Sequence, residues 1–304
     1  MNKAQAIGGY FELDEGGGTS PLPNGVLLNS GRNALRHIVR KLGVTRIHVP
    51  YYTCPVVWDA LKAEGCKLEF YEIGQDFKPQ ICFPKQDYVL YTNYFGCCGG
   101  IVDELADDYP NLIVDCAQAY YAKPKGLASF SSPRKFLGVP DGGVAYGVEP
   151  GMYEEDVSDG RMGHLIERRD YGATRCGYEL FRKAENSLDD ADVKEMSSFT
   201  KECLSHVDEQ VVKKRRLDNF AFLNRYLLTT FPLALTTDDV PMVYPYITKN
   251  PHLRSLLIND KIFVASYWPG LSNCADFQER ILPLPIDQRY GENNMERILE
   301  VLKQ

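Results

Sequence analysis

Along the first half of the chain, hydrophobic positions alternate between helical spacing and short continuous runs. Apolar residues recur with helical spacing from Leu35 to Leu42, where Ser30 can cap the helix and Gly43 can end it. Short apolar runs are instead typical of buried strands. They predict strands at 46–49, 68–73, 88–92 and 112–114, with helices at 55–64 and 103–108 between them. Strands that alternate with helices indicate a mostly parallel sheet covered on both faces, so we expect a three-layer α/β/α fold.

The pattern changes after about residue 150. Charged helical stretches occupy 161–230, and strands are predicted only later, at 242–247, 262–267 and 281–284, before a final amphipathic helix at 294–302. This succession is typical of a smaller α+β unit. We therefore predict a large domain with an N-terminal arm at residues 1–195 and a small C-terminal domain at residues 196–304.

Composition narrows the classes of partner and compartment. The 304-residue chain carries a net charge of −7, which disfavours nucleic acid or an anionic membrane as the main partner, because both bind basic surface. No apolar run approaches the length of a membrane span, and the N-terminus lacks the apolar core of a signal peptide. The nine cysteines are scattered without a CxxC pair, so we expect a reducing, cytoplasmic location. The five histidines show no metal-binding spacing, and we predict no metal site.

Three segments place polar residues where an open parallel sheet binds its ligands, at the carboxyl ends of its strands. The first is the glycine-containing start of the helix that runs to Leu42. Backbone N–H groups and the helix dipole suit a phosphate there, although simple helix capping is the ordinary explanation of such a start. The residues concerned are Ser30, Gly31, Arg32 and Asn33.

The second segment follows the predicted strand at 112–114 and begins with Asp115. A buried carboxylate needs a cationic or donor partner, and either a protonated pyridine nitrogen or the start of the next helix would supply one. The third segment carries Lys135 among small residues, before the turn at Asp141-Gly142-Gly143. A desolvated lysine would be nucleophilic there, whereas a surface-loop lysine would not.

Taken in order, the three segments resemble the DegT/DnrJ/EryC1/StrS family of sugar aminotransferases. These are pyridoxal-phosphate enzymes with the aspartate-aminotransferase fold, also called fold type I. Asp115, Gln118 and Lys135 match the family's motif positions, and the glycine turn at 141–143 matches as well. Other segments that resemble the family are Pro50-Tyr51-Tyr52-Thr53, Tyr94-Phe95-Gly96 and Leu282-Pro283-Leu284-Pro285. The resemblance covers residues 25–145 well and the last third loosely.

The resemblance implies pyridoxal phosphate as the cofactor and two catalytic residues. Lys135 would bind the cofactor as a Schiff base and move the substrate α-proton, while Asp115 would keep the pyridine nitrogen protonated. The resemblance implies transfer of an amino group from an amino acid to a nucleotide-linked keto-sugar, and a homodimer as the active form. Further residues expected to bind the cofactor are Ser30, Gly31, Arg32, Asn33 and Gln118.

Two departures from the family pattern affect the predicted site. Phe130 stands where the family has a phosphate-binding serine, so we expect Ser131 or Arg134 to compensate. Cys54 stands where the family has an aromatic residue that stacks on the cofactor ring. These departures keep a second hypothesis open, a non-catalytic binding or regulatory protein on the same fold. Sugar dehydration is a third, which the retained Lys135 disfavours because family dehydratases replace that lysine.

Overall fold

A computed structural model describes residues 5–14, 16–189, 191–227, 234–268 and 280–303. Its centre is a seven-stranded sheet, in which the five adjacent strands on one side run parallel to one another. In spatial order the strands are β2 (Val26–Leu28), β8 (Gly143–Tyr146), β7 (Ala128–Ser131), β6 (Leu112–Cys116), β5 (Tyr88–Thr92), β3 (Arg46–Pro50) and β4 (Lys67–Tyr71).

Two short sheets lie outside the central one. β9 (Val243–Ile247) pairs antiparallel with β11 (Ile281–Pro285), and β1 (Ile7–Gly8) pairs parallel with β10 (Ile262–Phe263). The second pairing ties the N-terminal segment to the C-terminal region of the chain. The described helices are α1 (Gly31–Leu42), α2 (Pro55–Ala63), α3 (Gly99–Asp108), α4 (Gly163–Tyr171), α5 (Arg175–Asp189), α6 (Ser198–Ser205), α7 (Glu209–Tyr226), α8 (Leu253–Asn259) and α9 (Glu292–Leu302).

The two faces of the sheet are covered by different parts of the chain. Leu90 and Ile113 belong to a hydrophobic cluster with α1 and α2. Their neighbours Val89 and Val114 point the opposite way, because side chains alternate along a strand, and belong to a cluster with α3 and the C-terminal elements. The C-terminal region therefore packs directly against the second face of the sheet, which confirms the three-layer α/β arrangement.

Most predicted elements in the first half of the chain are present within a few residues of their predicted ends. The helix expected after Ser30 is capped by its hydroxyl and ends at Gly43, whose φ of 63° is left-handed. The strand expected at 262–267 is confined to Ile262–Phe263, and β7 was not predicted because its sequence is short and rich in serine. The domain boundary near 195 stays a prediction. Within the described ranges, no helix is long and apolar enough to cross a membrane.

Candidate active site

The carboxyl ends of β5, β6 and β7 lie side by side and place Asp115 between Thr92 and Phe130. Asp115 is only 4% exposed, and its Oδ1 atom accepts a hydrogen bond of 2.8 Å from the backbone N–H of Ala117. Burial raises the pKa of the Asp115 carboxyl, while the positive charge of Lys135 and hydrogen bonds from Ala117 and Thr92 oppose that rise. The lysine and the carboxyl predicted to act together are thus electrostatically coupled.

Gln118 connects this strand end to the neighbouring turn. Its Oε1 atom accepts a hydrogen bond of 2.7 Å from the N–H of Phe95, whose φ of 58° is unusual for a residue other than glycine. The Phe95 carbonyl in turn accepts a hydrogen bond of 2.8 Å from the N–H of Met242. The side-chain nitrogen of Gln118 is buried and has no hydrogen-bond partner among the described residues. A buried donor of this kind costs stability unless a ligand satisfies it.

The start of α1 packs directly against the segment that carries the lysine. A Cβ atom on Gly31 would lie 3.3 Å from the Cβ of Ser132, and one on Gly143 would lie 2.1 Å from the carbonyl oxygen of Ser30. The N–H of Gly142 also donates a 2.9 Å hydrogen bond to the Asn29 carbonyl. Two of the three predicted segments therefore meet here, and the β6–β7 pairing brings Asp115 to the same edge of the sheet.

Individual groups at the start of α1 are already engaged. The Ser30 hydroxyl accepts a 3.1 Å hydrogen bond from the N–H of Asn33. Ser30 therefore caps the helix, and the Asn33 N–H already has a partner. The side chain of Arg32 binds the Leu188 carbonyl and pairs with Asp189 at 2.8 Å. The bridge between Ser30 and Gly142 directs the N–H of Gly31 to the Gly142 carbonyl. The N–H of Arg32, in the first turn, has no acceptor within the helix, and such a group suits an anion.

The lysine segment is a short 3₁₀ turn, Pro133–Lys135, in which Lys135 is exposed while the preceding serines are buried. The guanidinium of Arg134 pairs with Glu185 of α5, which competes with the predicted phosphate contact. Phe130 packs into the apolar cluster between the sheet and α1, with Ala34 and Leu35. The aromatic side chain at this position thus contributes to the core.

A cavity of about 830 Å³ opens beside Lys135. Its walls come from the N-terminal segment 8–11, from α4 and α5, and from the C-terminal segment 263–267. Asp115 and Gln118 are buried and are not on its wall. Tyr94 is fully buried, and burial raises the pKa of its phenol; nearby charges, including that of Asp115, add to the rise. The ring of Tyr52 stacks on the ring of Tyr94, with centroids 5.5 Å apart.

Of the residues that line the cavity, the sequence pointed only to Arg134 and Lys135 as cofactor-binding residues. Tyr10, Arg168 and Tyr267 are far apart in the sequence, and no local motif marks them. The tertiary structure alone brings them together beside Lys135. Within the described ranges, no group of three or more histidine, cysteine, aspartate or glutamate residues is arranged to hold a metal ion.

Comparison with solved structures gives consistent matches over nearly the whole chain. DesV from S. venezuelae, solved in complex with a ketimine intermediate, is 20% identical with a TM-score of 0.62, and the match covers 91% of this chain and 83% of that one. The pyridoxal-phosphate form of the putative sugar aminotransferase Spr1654 from Streptococcus pneumoniae is 15% identical with a TM-score of 0.61, over 92% and 86% of the two chains. A DegT DnrJ EryC1 StrS aminotransferase from Brucella abortus is 14% identical with a TM-score of 0.58, over 91% and 84%. The chain has the fold of these sugar aminotransferases. No protein-family model and no curated protein matches it.

Proposed function

We propose that this protein is a pyridoxal-phosphate-dependent aminotransferase. The observation that carries the proposal is geometric: a buried carboxyl, Asp115, lies at the carboxyl end of β6, and the adjacent strand β7 leads into the segment that carries the cavity-lining Lys135. The fold shared with sugar aminotransferases supports it.

The residues present fit the cofactor by their chemistry. A carboxyl buried in the fold needs a cationic partner, and a pyridinium nitrogen is one. The orphaned side-chain nitrogen of Gln118 is a hydrogen-bond donor for a ring oxygen. The N–H of Arg32 at the start of α1 would bind a phosphate oxygen.

When bound, pyridoxal phosphate supplies an electron sink for a carbanion at the substrate α-carbon. Asp115 would hold the proton on the pyridine nitrogen, which strengthens that sink. The Lys135 amine, which lines the cavity, would hold the cofactor covalently until the amino group of the substrate displaces it. The amine freed in this way would accept the substrate α-proton at its Nζ atom. The cavity beside Lys135 would bind the substrate.

The substrates belong to this proposal as well. We infer an amino acid as amino donor and a keto-sugar, nucleotide-linked, as acceptor, because the solved structures with this fold are named as sugar aminotransferases. We further propose a cytoplasmic homodimer, since closed two-fold assembly is the commonest oligomeric state of soluble proteins.

The test is to bind pyridoxal phosphate to purified protein, reduce with borohydride and map the labelled peptide. We expect a visible absorption band before reduction and a pyridoxyl group on Lys135 after it. Lys123 and Lys125 serve as internal controls, because they pair with Asp238 and Asp103 and should stay unlabelled. Labelling on either of them instead would contradict the assignment.

One observation favours a second candidate, a binding protein without catalytic activity. Asp115 and Gln118 are 4% and 1% exposed and do not line the cavity. If pyridoxal phosphate produces neither a visible band nor a labelled lysine, while the cavity still binds small molecules, this second function replaces the first.

A further inference from the structure

The cavity beside Lys135 combines largely apolar walls with a buried and incompletely paired cation, Arg168 of α4. Arg168 is 7% exposed and lines the cavity. Its Nη2 atom donates a 3.0 Å hydrogen bond to the carbonyl of Gly8, but its Nη1 atom is buried without a partner among the described residues. A buried guanidinium with an unused donor is strongly disfavoured unless an anion completes its bonding.

Protein carboxylates neutralise Arg168 only in part. Its nearest acid, Glu12, lies 3.7 Å from the Nε atom, which is too long for a hydrogen bond. Glu12 is also shared with Arg289, whose Nη1 atom lies 2.9 Å away. Asp287, which lines the cavity as well, is held by Arg289 at 2.7 Å. An incoming anion would therefore meet a cation whose charge is still available.

The other cations on the cavity wall are engaged in other contacts. Arg134 pairs with Glu185 through its Nη2 atom, although its Nε atom has no partner among the described residues. The side chain of Arg175 is 93% exposed and pairs with Glu179. Arg216 is fully buried and donates to carbonyl groups and to a glutamine side chain. Arg168 is buried and keeps an unused donor, so it is suited to one negative charge such as a carboxylate.

The surroundings of Arg168 are aromatic. Its guanidinium lies 5.2 Å from the ring centroid of Tyr10, and Tyr10 stacks on Phe181 at 5.7 Å with nearly parallel planes. The rest of the wall is largely apolar and includes Phe263, Pro283 and Pro285. Such a wall stabilises an apolar or aromatic body by burial.

We propose that Arg168 binds the carboxylate of a ligand with an apolar or aromatic body, and that this ligand class includes the amino donor of the reaction. The assignment of the donor rests on the proposed function. The carboxylate site itself does not, because it can be tested by binding alone.

The experiment compares 3-phenylpropionate with its neutral amide, 3-phenylpropionamide, by isothermal titration calorimetry on the full-length protein. Neither compound carries the amino or keto group that reacts with a cofactor. We expect the acid to bind about tenfold more tightly than the amide, since a hydrogen-bonded charge is worth about 1.5 kcal/mol or more. Arg168→Met should remove that preference, and the matched variant Arg175→Met should keep it.

Two outcomes would overturn the proposal. One is equal affinity of acid and amide in the wild-type protein, a result that needs no variant and so holds even if Arg168→Met fails to fold. The other is tighter binding of glutarate, which carries a second carboxylate in place of the phenyl ring, than of 3-phenylpropionate. Measuring protein with and without pyridoxal phosphate separates the two claims: a visible band with no acid preference refutes only this site, and the reverse refutes only the proposed function.

Discussion

His164 of α4 provides a quantitative test of how the cavity wall is held together. Its ring is 3% exposed and packs edge-on against Tyr10 at 6.0 Å and Phe181 at 5.4 Å. Burial lowers the pKa of His164 from 6.5 to about 4, and the charge of Arg134 adds to the effect. The folded protein therefore holds this histidine neutral where the unfolded chain would bind a proton.

The sign and size of the effect follow from that difference. A histidine with a lowered folded-state pKa leaves stability unaffected above about pH 6.5, and stability is lost as the pH falls from there towards 4. The difference between the folded and unfolded pKa of His164 corresponds to about 3 kcal/mol in the free energy of unfolding. About 2 kcal/mol of this is lost as the pH falls from roughly 7.5 to 5. Protonation of His164 would also loosen Tyr10 and Phe181, the aromatic pair beside Arg168.

The assay is urea unfolding of wild type and His164→Phe at both pH values. Phenylalanine keeps an aromatic ring between Tyr10 and Phe181 but cannot be protonated. On acidification the free energy of unfolding of the variant should therefore fall by about 2 kcal/mol less than that of wild type. The exposed His252 gives the matched control, since His252→Gln should behave as wild type. An identical pH dependence in His164→Phe and wild type would refute the reasoning.

Other predictions concern the cofactor site and assembly. Asp115→Asn should still bind pyridoxal phosphate but lower turnover by orders of magnitude, measured as kcat, because the pyridine nitrogen loses its anionic partner; full activity would contradict this. Arg134→Ala should weaken cofactor binding more than Ser131→Ala in fluorescence titrations, and equal affinity of Arg134→Ala and wild type would leave the pair with Glu185 as its only role. Gly143→Ala should lower the free energy of unfolding by more than about 2 kcal/mol, whereas Gly100→Ala, which meets only ordinary contacts, should change it little. Light scattering should find a dimer, and an active monomer would argue against the two-fold assembly.

Local signals explain why the first half of the fold was predictable. Ser30 and Gly43 mark the ends of α1, and short apolar runs mark β3, β5 and β6, so each element could be read within a few residues. β7 carries serines at alternate positions and lacks such a run. The predicted strand at 262–267 is confined to Ile262–Phe263, because only these residues pair with Ile7 and Gly8 of β1.

The sequence by itself determined the layered α/β fold and the order of the segments that carry Ser30, Asp115 and Lys135, because hydrophobic period, helix caps and glycine positions act over a few residues. Only the tertiary structure decided that Arg134 pairs with Glu185. It also decided that Arg168 lies with an unused donor in an aromatic wall. Those contacts join residues that are distant along the chain, and the exposure of a charge depends on every element packed around it, which no local pattern encodes.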